Sequence, residues 1–286
     1  MPRGVYVRKN SNVNTNTGMN KIMHVQVPEI AETDEQIEAK LTERFEVLEE
    51  MAQAAVDGDI RALIVSGPAG LGKSHTVEQV ITKAGISEES IVKGYVKATG
   101  VYKLLYQHKN RGDVLVFDDA DTVFFDDISL GFLKAVLDSS DRRHVSYRAE
   151  GSLIDEETAE RLPKSFQFDG TIIFVTNLDF DVMIERGHKL APHLQALVSR
   201  AHYIDLAMKN ARDYLMRIRM VMKTGLLDKT GMDQAAQADV MDFIEENHMK
   251  LRELSLRMAL KIAAHRRKGG NWKRSARVTC MKAAMH

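Results

Sequence analysis

The sequence is poor in cysteine, has no long apolar run and, beyond Ile262, lacks acidic side chains altogether. Cys280 is the one cysteine in 286 residues, which excludes an intrachain disulfide and a cysteine-based zinc site. That fits a reducing cytoplasm. No apolar run reaches the roughly 18–20 residues a membrane-crossing helix needs, so no membrane partner is expected. Residues 1–30 repeat Asn and Thr between Asn10 and Asn20 and hold no apolar signal-peptide core, so they read as a flexible arm. From Ile262 onward the charged residues are Arg266, Arg267, Lys268, Lys273, Arg274, Arg277 and Lys282. Such a basic tail, spanning 269–286, either holds a phosphate backbone or keeps a terminus soluble. Over the whole chain 40 cationic and 40 acidic residues cancel, so net charge by itself points to no partner.

What is present is an alternation of strand-like and helix-like segments. Thr33 and Gln36 make a capping box, and Ile37, Leu41, Phe45, Leu48 and Ala52 follow at helical spacing. Ala62–Val65 is short and apolar on both faces, as a buried parallel strand is. Further strands are expected at Ser90–Val96, Val114–Phe117, Thr171–Thr176 and His202–Leu206. Helices are expected at Ser74–Lys83, Val101–His108, Ile128–Leu137 and His193–Arg200. Strand and helix in turn imply right-handed crossovers and a parallel sheet covered on both faces. The long connection 138–170 carries two alternating stretches, His144–Arg148 and Ser165–Phe168, and reads as an inserted hairpin. After Ala207 strands stop, and Met208–Leu227, Asp233–His248 and Leu251–Arg267 read as helices of a small second domain.

Gly67-Pro68-Ala69-Gly70-Leu71-Gly72-Lys73-Ser74, followed by His75, matches the GxxxxGK[ST] phosphate loop between an apolar strand and a helix. The glycines let backbone N–H groups turn inward around phosphate oxygens, and the helix that follows points its positive end at them. Lys73 should reach the β- and γ-phosphates of ATP, and the Ser74 hydroxyl should help hold Mg²⁺. Val114–Phe117 ends in Asp118 and Asp119. Placed beside the first strand, it would turn those carboxylates toward the phosphates. Asp118 would then organise Mg²⁺, and Asp119 would orient or deprotonate the attacking water.

In this order the motifs resemble those of the AAA+ ATPases, especially their DNA-acting branches, over roughly 60–268. Gly67–Ser74 looks like Walker A and Val114–Asp119 like Walker B, with Asp119 where clamp loaders usually carry Glu. Asn177, after Thr171–Thr176, resembles sensor 1. Leu197-Val198-Ser199-Arg200 resembles the arginine-finger box, in which Arg200 would reach the ATP of a neighbouring subunit. Arg257 resembles sensor 2. The resemblance implies an α/β P-loop three-layer sandwich with a five-stranded parallel sheet at 31–207 and a small helical lid domain at 208–268. It also implies ATP hydrolysis in a homo-oligomeric ring, a hexamer.

The substrate is less legible. Lys97, Lys103, His108, Lys109 and Arg111, then Arg142, Arg143, Arg148 and Lys164, would make a phosphate track for single-stranded or partly duplex DNA. Lys97, Arg142, Arg143 and Arg148 are the leading candidates. Tyr102, Tyr106 and Tyr147 could stack on bases, although the spacing of the first two also suits a core. A DNA-acting ATPase with a replication or recombination protein as partner competes with a protein remodeller and with an ATP-gated loader that hydrolyses slowly. Gly94-Tyr95-Val96 faintly resembles a remodeller's aromatic channel loop, but falls inside the expected second strand. The compact size resembles that of phage-encoded replication and recombination ATPases.

Overall fold

The computed structural model describes residues 32–148, 153–154 and 159–283. The expected N-terminal arm lies outside them.

Helix α1 (Asp34–Asp57) opens the fold and buries one stripe, Ile37, Leu41, Phe45, Leu48, Ala52 and Ala55. Asp34 and Glu35 stand in its first turn, where negative charge suits the helix dipole. Strands β1 (Ala62–Ser66), β2 (Ile91–Lys93) and β3 (Val114–Asp118) alternate with helices α2 (Lys73–Lys83), α3 (Ala98–Gln107) and α4 (Asp127–Val136). An antiparallel pair, β4 (His144–Ser146) and β5 (Ser165–Gln167), forms the inserted hairpin. Strand β6 (Thr171–Thr176), helices α5 (Phe180–Glu185) and α6 (Ala191–Val198), and strand β7 (His202–Asp205) complete the sheet layer.

Five strands pair in parallel in the order β2-β3-β6-β1-β7. Every residue of β1, β3 and β6 is buried, because alternate side chains enter two different cores. Leu63, Val65, Val116 and Val175 meet Phe45, Leu48, Val77 and Ile81 of α1 and α2. Ala62, Ile64, Leu115 and Phe174 meet Val101, Leu105, Leu133 and Leu194 of α3, α4 and α6. Two such layers on one sheet are the three-layer sandwich expected.

One neighbour differs from expectation. Strand β3 does not lie beside β1; β6 lies between them. Register along a parallel sheet is set by long crossovers, so strand order is invisible in any single segment. The consequence for the site is large, because β6 ends in Asn177.

The insertion corrects a second expectation. Arg143 is 6% exposed, and its guanidinium donates to the Val136 carbonyl at 3.0 Å and the Gly170 carbonyl at 3.0 Å. It also lies over the Phe168 ring. Burial lowers its pKa without removing its charge at neutral pH. Arg143 therefore ties the hairpin to the sheet and cannot contact a nucleic acid. Arg143→Ala should destabilise the fold by about 2–4 kcal/mol in urea unfolding, since two buried carbonyls lose their donor. Arg142→Ala, at an exposed position, should change stability by less than about 0.5 kcal/mol. The three tyrosines also join the core. Tyr102 is 1% exposed, donates to the Pro163 carbonyl at 2.7 Å and packs against Phe132, Tyr147 and Phe166; Tyr106 meets Phe166 edge-on. With these rings occupied by one another, Tyr102 cannot stack on a base.

The C-terminal region contains α7 (Ala211–Lys223), α8 (Gln234–Asn247), α9 (Leu256–Lys268) and α10 (Trp272–Cys280). Side chains cap each start: Asn210, Asp233, Ser255 and Asn271 accept from backbone N–H groups one turn on. Helix α10 occupies the segment read as a tail. Ala276, Cys280 and Met281 are buried against α8 and α9, and Trp272 meets Phe243 at 5.3 Å. Fully burying a side chain the size of Met281 contributes about 1.5–3 kcal/mol. That offsets the weakness of an isolated nine-residue helix.

Candidate functional site

The C-terminal ends of β1, β3 and β6 share one edge of the sheet, and a cavity of about 1130 Å³ opens there beneath the C-terminal helices. Beyond β1 the chain turns through Gly67, Gly70 and Gly72, with φ values of 150°, 76° and 100°. The left-handed conformation at Gly70 and Gly72 suits glycine. A Cβ at Gly70 would also stand 2.7 Å from Ser255 Cβ. At that point α9 docks onto the loop, with Leu256 N–H donating to the Gly70 carbonyl at 2.8 Å.

Lys73 begins α2 and is 4% exposed. Its ammonium donates to the Gly67 carbonyl at 2.6 Å, the Pro68 carbonyl at 2.8 Å and Asn177 Oδ1 at 3.0 Å. Asn177 Nδ2 in turn donates to Asp119 Oδ1 at 2.7 Å. The side chain at the end of the intervening strand thus bridges the lysine and the second carboxylate. Asp119 has a φ of 53°, a conformation Asp and Asn tolerate better than most residues. The Ser74 hydroxyl donates to Asp118 Oδ1 at 2.7 Å. Asp118 is 4% exposed and also pairs with Lys93 at 3.3 Å, while Lys93 reaches Glu78 at 2.5 Å. Close by, the Thr176 hydroxyl donates to Asp121 at 2.6 Å. Burial holds that carboxyl above the usual carboxylate range, despite the hydrogen bond from Thr176.

Burial lowers the Lys73 pKa to about 8; Asp119 and Asp118 oppose the shift, and the Arg257 charge adds to it. If a protonated Lys73 is what binds phosphate, the sign of the pH effect follows. Below about pH 8 the ligand-free protein holds the ammonium, and above it the proton must be taken up on binding. ATP affinity measured by titration calorimetry should be flat up to that pH. It should then fall by up to about tenfold per pH unit.

Arg257 also lines the cavity from α9. Arg217 of α7 lines it too, and sequence reasoning missed it. Its guanidinium lies 3.3 Å from the Phe45 ring centroid, its Nε donates to the Leu71 carbonyl at 3.2 Å, and burial lowers its pKa to about 10. Its signal in the sequence is faint: one arginine of four cationic residues in a helix with a strongly apolar face. Lys93 and Glu78 were missed as well, and only the fold brings them to Asp118.

Arg200 is elsewhere. It precedes β7 and so belongs to the opposite edge of the sheet; it is exposed, and its Nη1 donates to the Ala196 carbonyl of the preceding helix α6 at 2.7 Å. There it lies near Asp138, whose carboxyl is held below its usual pKa by Ser140 hydrogen bonds, with the charges of Arg200 and Arg61 adding to the effect. Arg142 is on this same edge, its carbonyl accepting from Ser140, whereas exposed Lys97 stands just before α3, beyond the end of β2. The candidate nucleic-acid residues are therefore not one cluster. Tyr95 supplies another correction. Strand β2 stops at Lys93, Gly94 turns with a φ of 85°, and Tyr95 stands 73% exposed in the loop that follows.

No protein-family model matches the chain. It is 36% identical over 243 residues to an uncharacterized 36.7 kDa protein of the nrdC-mobD intergenic region of Enterobacteria phage T4, covering 84% of this chain and 74% of that protein. Among solved structures it is similar to RuvB of Thermotoga maritima, with a TM-score of 0.44 and 14% identity over 82% of this chain and 61% of that one. It is also similar to NtrX of Brucella abortus in complex with ATP, with a TM-score of 0.46 and 14% identity over 80% of this chain and 50% of that one. The chain thus spans between half and about three fifths of the length of these two solved chains. Among the described residues no helix is long and apolar enough to cross a membrane. The strand order β2-β3-β6-β1-β7, the glycine loop after β1 and the C-terminal helices define an AAA+ type of P-loop fold, and the chain belongs to the family of the phage T4 protein.

Proposed function

We propose that the chain binds ATP with Mg²⁺ in this cavity and hydrolyses it, with a neighbouring copy completing the site. The observation that carries the proposal is the convergence of Lys73, Ser74, Asp118, Asp119 and Asn177 through hydrogen bonds of 2.7–3.0 Å. The residues suit both ligands. Backbone N–H groups at Gly70, Gly72, Lys73 and Ser74 can line a phosphate chain, with no Cβ at the two glycines to stand in the way, and the Ser74 hydroxyl with the Asp118 carboxylate forms a hard oxygen pair fit for Mg²⁺. Bound there, Mg²⁺ would neutralise charge on the β- and γ-phosphate oxygens.

Lys73, released from the Gly67 and Pro68 carbonyls, turns its donors to the phosphates. Asp119, held by Asn177, orients water for attack on the γ-phosphorus and accepts its proton; the bond to the β-phosphate bridging oxygen breaks and ADP leaves. Asp is one methylene shorter than the Glu usual in clamp loaders, and the left-handed backbone at Asp119 helps aim its carboxylate. Arg257 reports on nucleotide from the lid. Arg200, set on the far edge, serves the site of the next subunit in a homo-oligomeric ring such as a hexamer.

The substrate we favour is DNA, single-stranded or partly duplex, because exposed Lys97, Arg142 and Arg148 remain available to phosphates. A protein-remodelling reading is favoured by the exposed Tyr95. Single-stranded DNA should raise the ATPase rate several-fold in a phosphate-release assay. Stimulation by an unfolded polypeptide instead, lost in Tyr95→Ala, would replace the DNA reading with the second.

A further inference from the structure

The cations of the chain's end do not trail as a tail; they frame a groove of about 580 Å³ between α9 and α10. His265 and Lys268 line it from α9, and Trp272, Arg274 and Thr279 from α10. Lys273, Arg277 and Lys282 add charge nearby, and no Asp or Glu occurs after Glu253. Among the described residues Arg266 pairs with Asp239, while Lys268, Lys273, Arg274 and Arg277 form no ion pair. Two of these cations, Lys273 and Arg274, stand in the first turn of α10. There the helix dipole opposes positive charge. Stability alone does not favour that placement, whereas an anion in the groove would reverse its sign.

We propose that this groove binds the phosphodiester backbone of a single-stranded nucleic acid, with Trp272 offering a face to an unstacked base. This deepens the DNA-acting reading and rests on it, but not on ATP hydrolysis. A single strand fits better than other polyanions for three reasons. The half-buried indole, braced by Phe243 and flanked by Lys273 at 5.7 Å, suits base stacking. Asn271, Ser275 and Thr279 add neutral donors and acceptors. A lipid surface would need a broader apolar face than exposed Val278 and half-buried Trp272 present. The groove also shares α9 with the nucleotide cavity: Arg267 lines the cavity and the next residue, Lys268, lines the groove. A lid that shifts with nucleotide would move the groove with it.

Trp272 is the chain's single tryptophan, so its fluorescence reads this groove alone. Titrating the full chain with oligo-dT should quench it saturably. The double variant Lys268→Ala/Arg274→Ala should bind about tenfold more weakly, and its slope of log affinity against log salt should be shallower by roughly 1.4, two contacts at about 0.7 each. Its thermal midpoint and ATP affinity, measured in parallel, should stay at wild-type values. Oligo-dT binding with unchanged affinity and salt slope in the variant would overturn the groove and leave the DNA reading standing. Absence of any oligo-dT binding at low salt, with ATP binding intact, would overturn both. Quenching by anionic phosphatidylglycerol vesicles or polyglutamate but not by oligo-dT would assign the groove to another partner and overturn the proposal.

Discussion

Lys73→Ala should lower ATP turnover by at least about a hundredfold, because one preorganised donor to a transferring phosphoryl group is worth on the order of 10²–10³ in rate. The protein should remain folded. The substitution strands the Gly67 and Pro68 carbonyls, at about 1–3 kcal/mol for a buried unpaired group. It also removes a desolvated ammonium, whose depressed pKa shows that the ligand-free fold disfavours its charge. The two effects oppose each other, so the thermal midpoint should move little while calorimetric ATP binding weakens sharply. Full activity in a folded Lys73→Ala protein would discard the site assignment.

The second large effect needs two proteins. Arg200→Ala should reduce turnover by roughly 10³-fold, the low end of what an arginine finger contributes. Asp119→Asn should be inactive too, and Asn is the right replacement because it accepts the positive φ of 53° that alanine would strain. Neither parent assembly contains an interface with both groups. Mixed in equal amounts and allowed to exchange subunits, about one interface in four pairs an intact Asp119 with an intact Arg200, and activity should return to about a quarter of wild type if the finger acts across that interface. Mixed assemblies that form and stay inactive would place Arg200 outside the chemistry. The separation of Arg200 from the cavity makes this test decisive, because within one chain the two groups belong to opposite edges of the sheet.

The parts of the site that were legible are those whose geometry is local. The phosphate loop is one continuous turn, and its glycines, lysine and serine carry their reason within eight residues. The buried stripe of α1, the fully buried β6 and the inserted hairpin were legible in the same way. Misreadings arose where a neighbour decides. Gly94 ends β2 earlier than its apolar pattern suggested and leaves Tyr95 in the open. Arg143 has the charge of a surface residue, but the carbonyls of Val136 and of the more distant Gly170 hold it in the core. The residues beyond Gly269 read as a basic tail by charge, although Trp272, Ala276 and Cys280 repeat at helical spacing and dock on α8 and α9.

From its residues alone, this chain was committed to a nucleotide loop between a buried strand and a helix, to two carboxylates at the end of another strand, and to a helical C-terminal part. Backbone conformation and binary pattern are short-range properties, and they suffice for that much. Only the tertiary structure placed β6 between β1 and β3, and so brought Asn177 within reach of both Lys73 and Asp119. Only it put Arg200 on the far edge and folded the basic end into a groove. Those outcomes depend on which surfaces pack together across long stretches of chain, and no local window of sequence contains both partners of such a contact.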